Sequence, residues 1–168
     1  MNVSNLFISL PSQIGTGVTF KVLAEATLTG DATSIDTGAF TSTGYNTLEI
    51  QVQTGTPSAG CTPAIRFNND AGAEYNWGWV QYDATHGTAA NDNQGEINNS
   101  ASAALTLFGR VNNISAADKY LCGMVATDNS SSFFITYHGA AALITRVQLI
   151  SQGAVTFPAG SSIRVLGV

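Results

Sequence analysis

The sequence predicts an all-β fold: a single-domain antiparallel jelly-roll β-sandwich with a short N-terminal arm. Apolar and polar residues alternate with a period of two in many short segments, which is typical of strands with one buried face. No segment long enough for a helix carries an apolar stripe at i, i+3 and i+4, and clusters of turn-forming residues separate the segments. Because 168 residues suit one domain, a jelly roll fits the chain better than a barrel.

Ten segments are predicted strands. The clearest is 47–53, in which Leu48, Ile50 and Val52 alternate with polar residues. Two more alternating segments lie near the end of the chain, and the Gly- and Pro-containing loop between them, 152–160, predicts neighbouring antiparallel strands. The ten segments are residues 18–28, 34–36, 47–53, 64–67, 77–82, 104–112, 120–126, 132–138, 145–151 and 161–168.

Two segments do not fit a strand. Residues 83–102 hold Ile97 as their single large apolar side chain, which predicts a long loop that has a function or is ordered by a neighbour. Residues 1–17 combine an apolar stretch with a linker-like one at 11–17. We expect residues 1–17 to form an arm that packs on its own domain or on an adjacent subunit, ahead of a jelly-roll domain at 18–168.

The scattered basic residues argue against nucleic acid as a partner, and the short apolar runs argue against a membrane. The chain has 11 acidic and 6 basic residues, for a net charge of −5, and the basic residues are scattered singly. The apolar run at 6–8 is too short to span a membrane and lacks the basic residues that precede the core of a signal peptide. We therefore expect the protein to be made and folded in a cytoplasm.

The two cysteines are predicted to stay unpaired. Cys61 lies in a predicted loop and Cys122 in a predicted strand, far apart in the sequence. In a reducing compartment both are expected to be free thiols, with at least Cys122 buried.

A few scattered residues are candidates for chemistry. Asp83 and His86, with Asp92 and His138 elsewhere, could supply a mononuclear metal site or an acid–base pair. No HExxH, GxSxG, P-loop or paired-cysteine motif orders them. Histidines among Gly, Ala and Thr are more often solvated loop residues. The sequence therefore predicts no enzyme, no catalytic residue, no metal and no cofactor.

The stretch 66–80 (RFNNDAGAEYNWGWV) is the densest group of polar and aromatic side chains. Four residues here have side-chain oxygens that could bind calcium: Asn68, Asn69, Asp70 and Glu74. Their spacing is not that of an EF-hand calcium-binding loop. A turn explains them better, because Asn and Asp bond their own backbone and Gly72 lets the chain reverse. One strand face then carries an aromatic row that either packs in the core or contacts a glycan or protein: Tyr75, Trp77 and Trp79.

Three segments, taken in order, carry a family resemblance. Residues 25–36 (EATLTGDATSID) with 45–50 (YNTLEI) are similar to an A-T-L-x-G-x-A-x-S-I-D opening, and 66–75 (RFNNDAGAEY) to R-F-N-G-D-x-G-x-x-Y. Residues 144–149 (ITRVQL), 157–161 (FPAGS) and 163–168 (IRVLGV) look like a closing strand pair. Together they resemble a jelly-roll family of virion proteins in tailed bacteriophages. Asn69 stands where that family has a turn glycine, and Asn tolerates the positive φ required there.

The resemblance implies a virion protein, because such modules serve in head decoration (cement) proteins and in tail fibres. Our first hypothesis is a non-enzymatic structural protein that decorates and stabilises the capsid across boundaries between major capsid protein subunits, as a homotrimer. Its predicted contacts are Leu6, Phe7 and Ile8 in the arm and Asn93 and Gln94 in the long loop. It would act in the virion, after assembly in the host cytoplasm.

The alternative hypothesis is an attachment module of a tail tip or fibre that binds host-surface glycan. The rings of Tyr75, Trp77 and Trp79 could stack on sugar faces while neighbouring amides bond hydroxyls. A third hypothesis is a lectin or an intracellular β-sandwich unrelated to viruses.

Overall fold

The computed structural model describes residues 19–98, 102–128, 130–139 and 142–168. These residues form twelve strands and no helix. In particular, none of them belongs to a helix long and apolar enough to cross a membrane. The strands are β1 (Lys21–Thr27), β2 (Ser34–Asp36), β3 (Thr47–Gln53), β4 (Pro63–Phe67), β5 (Tyr75–Gln81), β6 (His86–Asp92), β7 (Gly95–Glu96), β8 (Thr106–Asn112), β9 (Lys119–Ala126), β10 (Ser131–Tyr137), β11 (Val147–Ser151) and β12 (Ser162–Gly167).

The strands pair antiparallel in two sheets. The larger sheet has eight strands in the order β1-β12-β3-β8-β9-β10-β5-β6, and the smaller has four in the order β2-β11-β4-β7. One core cluster contains buried residues of both sheets, such as Ile50 and Ile135 of the larger and Ile65 and Leu149 of the smaller. The sheets therefore pack face to face as a β-sandwich, which confirms the predicted fold class. The finer jelly-roll topology stays a prediction.

All ten predicted strands are present, and the structure adds β6 and β7. Both lie within 83–102, so the prediction of a long loop there is wrong. β6 lies at the edge of the larger sheet. Its residues (HGTAAND) are all small or polar, so they show no apolar alternation. A Cβ on Gly87 would lie 2.4 Å from the Trp79 ring, so that ring packs directly on the backbone of β6. The partner strand supplies the apolar contact that the sequence of β6 lacks.

The last two strands are not neighbours, so the prediction that 152–160 joins a strand pair is wrong. β11 lies in the smaller sheet and β12 in the larger. Between them, the fully buried Phe157 exchanges two backbone hydrogen bonds with Ala32, at 2.8 and 3.0 Å. Burial of the Phe157 ring anchors the crossing from one sheet to the other. The predicted arm, 1–17, lies outside the described residues, together with Leu6, Phe7 and Ile8.

Candidate functional site

The polar stretch after β4 is a tight turn, as predicted, but Gly72, to which the sequence assigned the chain reversal, is not among the residues with positive φ. Asn68 and Asn69 have positive φ values of 53° and 58°, the left-handed region that Asn tolerates. Asp70 N donates to Phe67 O at 2.9 Å and closes the turn. Asp70 Oδ1 accepts from Gly72 N at 2.8 Å, which is the predicted Asx-turn.

Two of the four candidate calcium ligands in this turn bond the protein itself. Asn68 Oδ1 accepts from Thr145 N at 2.8 Å, which ties the turn to the segment before β11. Asp70 Oδ2 accepts from Tyr137 Oη, also at 2.8 Å. These contacts give Asn68 and Asp70 structural roles that need no calcium ion.

The aromatic row of β5 faces the core. Tyr75, Trp77 and Trp79 are 0%, 7% and 5% exposed. The Tyr75 ring stacks on Tyr137 with 4.8 Å between centroids, and its Oη accepts from Phe67 N at 2.8 Å. Burial raises the pKa of the Tyr75 phenol. Of the two interpretations of the row, the structure therefore shows the packed one, and the rings offer no face to a glycan or partner.

The structure does not gather the candidate catalytic residues. β6 pairs His86 with Val80 and Asp92 with Tyr75, so the two lie at opposite ends of the strand. The neighbouring pairs are separate: His138 Nδ1 lies 3.0 Å from Asp118 Oδ2, and Asp92 Oδ2 accepts from Trp77 Nε1 at 3.0 Å. Within the described ranges, no group of three or more His, Cys, Asp or Glu side chains could hold a metal ion.

Both cysteines are free, as predicted, but their burial is the reverse of the prediction. Cys61 is buried, and burial raises the pKa of its thiol. Cys122 is exposed, because β9 alternates and the inward position is taken by its neighbour Leu121. The prediction that Cys122 is buried is therefore wrong.

An apolar patch covers part of the outer surface of the larger sheet. We call it the apolar face. Phe108 lies directly opposite Met124, and Phe134 lies opposite Gly78. A Cβ on Gly78 would come within 2.6 Å of the Phe134 ring, so the ring rests on the bare backbone there. The five large side chains are 46–66% exposed: Phe108, Tyr120, Met124, Phe134 and Val80.

Two ion pairs lie on this outer surface. Glu49 Oε2 on β3 accepts from Arg110 of β8 at 3.1 and 3.2 Å, and Glu25 on β1 accepts from Arg164 of β12 at 3.0 and 3.1 Å. The Arg110 guanidinium lies 5.9 Å from the centre of the Phe108 ring. By strand parity, Arg110 is the one charged side chain that the described residues of β8, β9, β10 and β5 turn outward. The apolar face is therefore nearly neutral.

The smaller sheet carries a different surface on its outer side, which we call the polar depression. It is a concavity of about 660 Å³ where β2, β11, β4 and β7 meet the turn after β6. The predicted contacts Asn93 and Gln94 both lie in its lining. Its main polar side chains are Arg66, Asp92, Gln94, Glu96, Gln148 and Gln152. Sequence reasoning singled out Asn93 and Gln94 as contacts and Asp92 as a candidate catalytic or metal-binding residue, but it did not predict the depression.

One row of side chains crosses the floor of the polar depression. Asp36, Gln148 and Arg66 lie directly opposite one another on β2, β11 and β4. Gln148 Nε2 donates to Asp36 Oδ2 at 2.9 Å, and Arg66 Nη2 reaches Gln94 Oε1 at 3.5 Å. Gln148 Oε1 and Arg66 Nε are buried without a hydrogen-bond partner among the described residues. A buried acceptor and a buried donor on neighbouring strands are therefore unsatisfied.

The carboxylates of this region titrate differently. Burial raises the pKa of Glu96, although Gln152 Nε2 donates to Glu96 Oε1. At the other end of the row, hydrogen bonds from Arg146 hold the pKa of Asp36 below its ordinary value. Arg146 Nε donates to Asp36 at 2.9 and 3.1 Å. Asp36 therefore stays ionised and orients the Gln148 amide.

Asp36→Asn is expected to lower the free energy of unfolding by about 1 kcal/mol at neutral pH, since a partly exposed ion pair contributes less than a buried one. The folded-state pKa is depressed, so the stabilisation is present above the unfolded pKa of about 4 and is lost as pH falls through the folded value. Urea denaturation of both proteins should show a difference that shrinks at acid pH. Asp31→Asn, at a carboxylate that accepts from Ala159 N and has no arginine partner among the described residues, is the control. A difference independent of pH would contradict the role of the charge.

No protein-family model, no curated protein and no solved structure matches this chain. The resemblance to phage virion proteins therefore stays a prediction.

Proposed function

We propose that this protein is a non-enzymatic structural protein of a tailed-phage virion that decorates and stabilises the capsid as a homotrimer. The observation that carries the proposal is the apolar face. Its five side chains leave roughly 500 Å² open, taking about 200 Å² for each large side chain. The largest patch on a monomer is about 300–600 Å², and each partner of a standard interface contributes about 800 Å². The apolar face is therefore large enough to supply the apolar centre of such an interface, though not the whole of it.

The occupant we assign to the apolar face is another copy of this chain. Each copy carries a net charge of −5, so two copies repel each other over most of their surfaces. On the apolar face Arg110 is neutralised by Glu49, so copies can meet there without opposed like charges. Around a threefold axis, Phe134 and its neighbours in one copy bury against those of the next.

The strand order supports the jelly-roll part of the resemblance. In a jelly roll, two Greek keys interleave across two sheets. Here β1 and β3 lie in the larger sheet and β2 and β4 in the smaller, and the late strands return between them, β12 between β1 and β3 and β11 between β2 and β4. The hairpins β5–β6 and β9–β10 extend the larger sheet beyond β8. These two hairpins carry most of the apolar face, so the additions to the common scaffold build the contact surface.

Attachment to the capsid follows from the trimer. Three copies offer three identical contacts to the shell, and contacts that are weak singly add through avidity. We assign the contact with the major capsid protein to the arm residues Leu6, Phe7 and Ile8, at boundaries between capsid subunits. A protein that binds the assembled lattice but not free subunits stabilises the lattice by mass action.

Phe134→Asp is expected to dissociate the trimer, with association weakened at least tenfold, because it buries a carboxylate from each copy in an apolar contact. Sedimentation equilibrium measures the change from three times 17.4 kDa to 17.4 kDa. Val22→Asp is the matched control, since Val22 is similarly exposed (49%) but lies on β1 at the far edge of the same sheet. Circular dichroism checks that both variants fold. A wild type that stays monomeric at high concentration, or a Phe134→Asp trimer as tight as wild type, would contradict the assignment.

Co-sedimentation with particles of the source phage that lack this protein tests the virion role. Wild type should saturate a fixed number of sites, and Phe134→Asp should bind more weakly because it loses avidity. Absence of wild-type binding to the particles overturns the capsid proposal. Equal occupancy by both proteins overturns the role of the trimer.

A further inference from the structure

We propose that the polar depression is a binding site for a neutral saccharide. It lies on the outer surface of the smaller sheet, whereas the apolar face belongs to the larger sheet. The inference therefore goes beyond the proposed virion role and does not depend on it.

The unsatisfied groups on the floor indicate the chemistry of the ligand. Gln148 is 8% exposed, and its Nε2 is held by Asp36, which leaves Oε1 without a donor. On the neighbouring strand, Arg66 Nε has no acceptor within the described part of the chain. A hydroxyl group donates and accepts at once, so one hydroxyl can serve both atoms. An ionised carboxylate or a phosphodiester can only accept, and it would leave Gln148 Oε1 unsatisfied.

Access to these atoms requires one side chain to move. Both atoms are buried in this structure, beneath the open part of the depression. The contact that holds the end of the Arg66 side chain, Nη2 to Gln94 Oε1, is long at 3.5 Å and therefore weak. In the proposed site, rotation of the Arg66 side chain is the movement expected to bring its guanidinium onto a bound hydroxyl.

The charge balance of the lining favours a neutral ligand. Among the residues that line the depression, Arg66 is the single cation, and it stands with the carboxylates Asp92 and Glu96. The net charge of these three groups is −1, which disfavours an anion, and on the floor the Arg66 guanidinium beside Gln148 disfavours a cation. Uncharged hydroxyls gain hydrogen bonds from both kinds of group.

The shape and the remaining side chains fit a short oligosaccharide. Ile150 lies on the floor beside the small residues Ser34 and Ala64, so its side chain can contact the C–H face of a sugar ring. The amides of Gln94 and Gln152 can bond hydroxyls around it. A volume of about 660 Å³ lies within the usual range of ligand sites, about 300–1,000 Å³.

NMR titration of the full chain tests the proposal, because side-chain amide resonances of Gln94 and Gln148 report on the site directly. The probes are neutral trisaccharides built from glucose, galactose, mannose or N-acetylglucosamine, with inorganic phosphate and calcium chloride as the competing classes. At least one trisaccharide is expected to shift both amides in a saturable way. No shift with any trisaccharide, or a saturable shift with phosphate or calcium alone, overturns the proposal.

Variants separate a built site from general surface binding. Gln148→Leu is expected to weaken the trisaccharide at least tenfold. Gln152→Leu, at an exposed position that cannot unfold the core, should weaken it several-fold. The matched control is Gln51→Leu on the larger sheet, which should bind as wild type does, and so should the Phe134→Asp monomer. Unchanged binding by folded Gln148→Leu and Gln152→Leu, or equal weakening by Gln51→Leu, overturns the proposal.

Discussion

Trp79→Ala is expected to lower the free energy of unfolding by about 3–5 kcal/mol, the usual cost of removing a large buried aromatic side chain. Trp79 is 5% exposed in the middle of β5. Its ring packs so closely on β6 that a Cβ on Gly87 would lie 2.4 Å away. The variant therefore leaves a cavity between β5, β6 and the smaller sheet, and it removes the main apolar contact of an edge strand.

Urea denaturation followed by circular dichroism measures this loss. Val22→Ala is the matched control, because Val22 lies on β1 of the same sheet, away from the apolar face, and is about half exposed. The control is expected to change stability by less than about 0.5 kcal/mol. A similarly small loss for Trp79→Ala would mean that the ring is not packed in the core, and the surface interpretation of the aromatic row would return.

Most strands could be predicted from the sequence because the alternation of apolar and polar residues within a strand shows which of its faces is buried. In β3 the alternation of Leu48, Ile50 and Val52 with polar residues follows directly from one face packing on the core. β6 could not be found in this way, because the Trp79 ring of its partner fills the space over Gly87. The sheet to which β12 belongs could not be predicted either, because it depends on pairing with β1 and β3, which are far away in the sequence.

The two candidate surfaces depend on register between distant segments, which one sequence does not contain. In the sequence, Phe108 is only an outward-facing residue of β8. The pairing of β8 with β9 is what places it opposite Met124. Gln148 and Arg66 likewise become neighbours only when β11 pairs with β4. A usable signal did exist for the apolar face: Phe108 and Phe134 occupy positions that strict alternation assigns to polar residues. Large aromatic residues on the polar side of several predicted strands mark a candidate contact surface.

Gly123→Ala is expected to lower the free energy of unfolding by about 3 kcal/mol, at the upper end of the usual cost of overpacking. A Cβ on Gly123 would lie 2.3 Å from Phe108 O and 2.7 Å from Gly109 Cα, both in the backbone of β8. It would also lie 2.8 Å from Phe133 Cζ, because that ring covers the glycine pair from the core side. Backbone atoms cannot move aside as a side chain does, so β8 and β9 must separate.

That separation links stability to the proposed contact surface. β8 and β9 carry Phe108 and Met124, so the strained variant should also weaken self-association of the molecules that remain folded. Gly30→Ala is the control, since a Cβ there meets nothing within 4 Å and the change should stay below about 0.5 kcal/mol. Urea denaturation and sedimentation equilibrium of the two variants measure both effects. If Gly123→Ala were as stable as wild type and associated equally well, the close spacing of β8 and β9 that aligns the apolar face would be refuted.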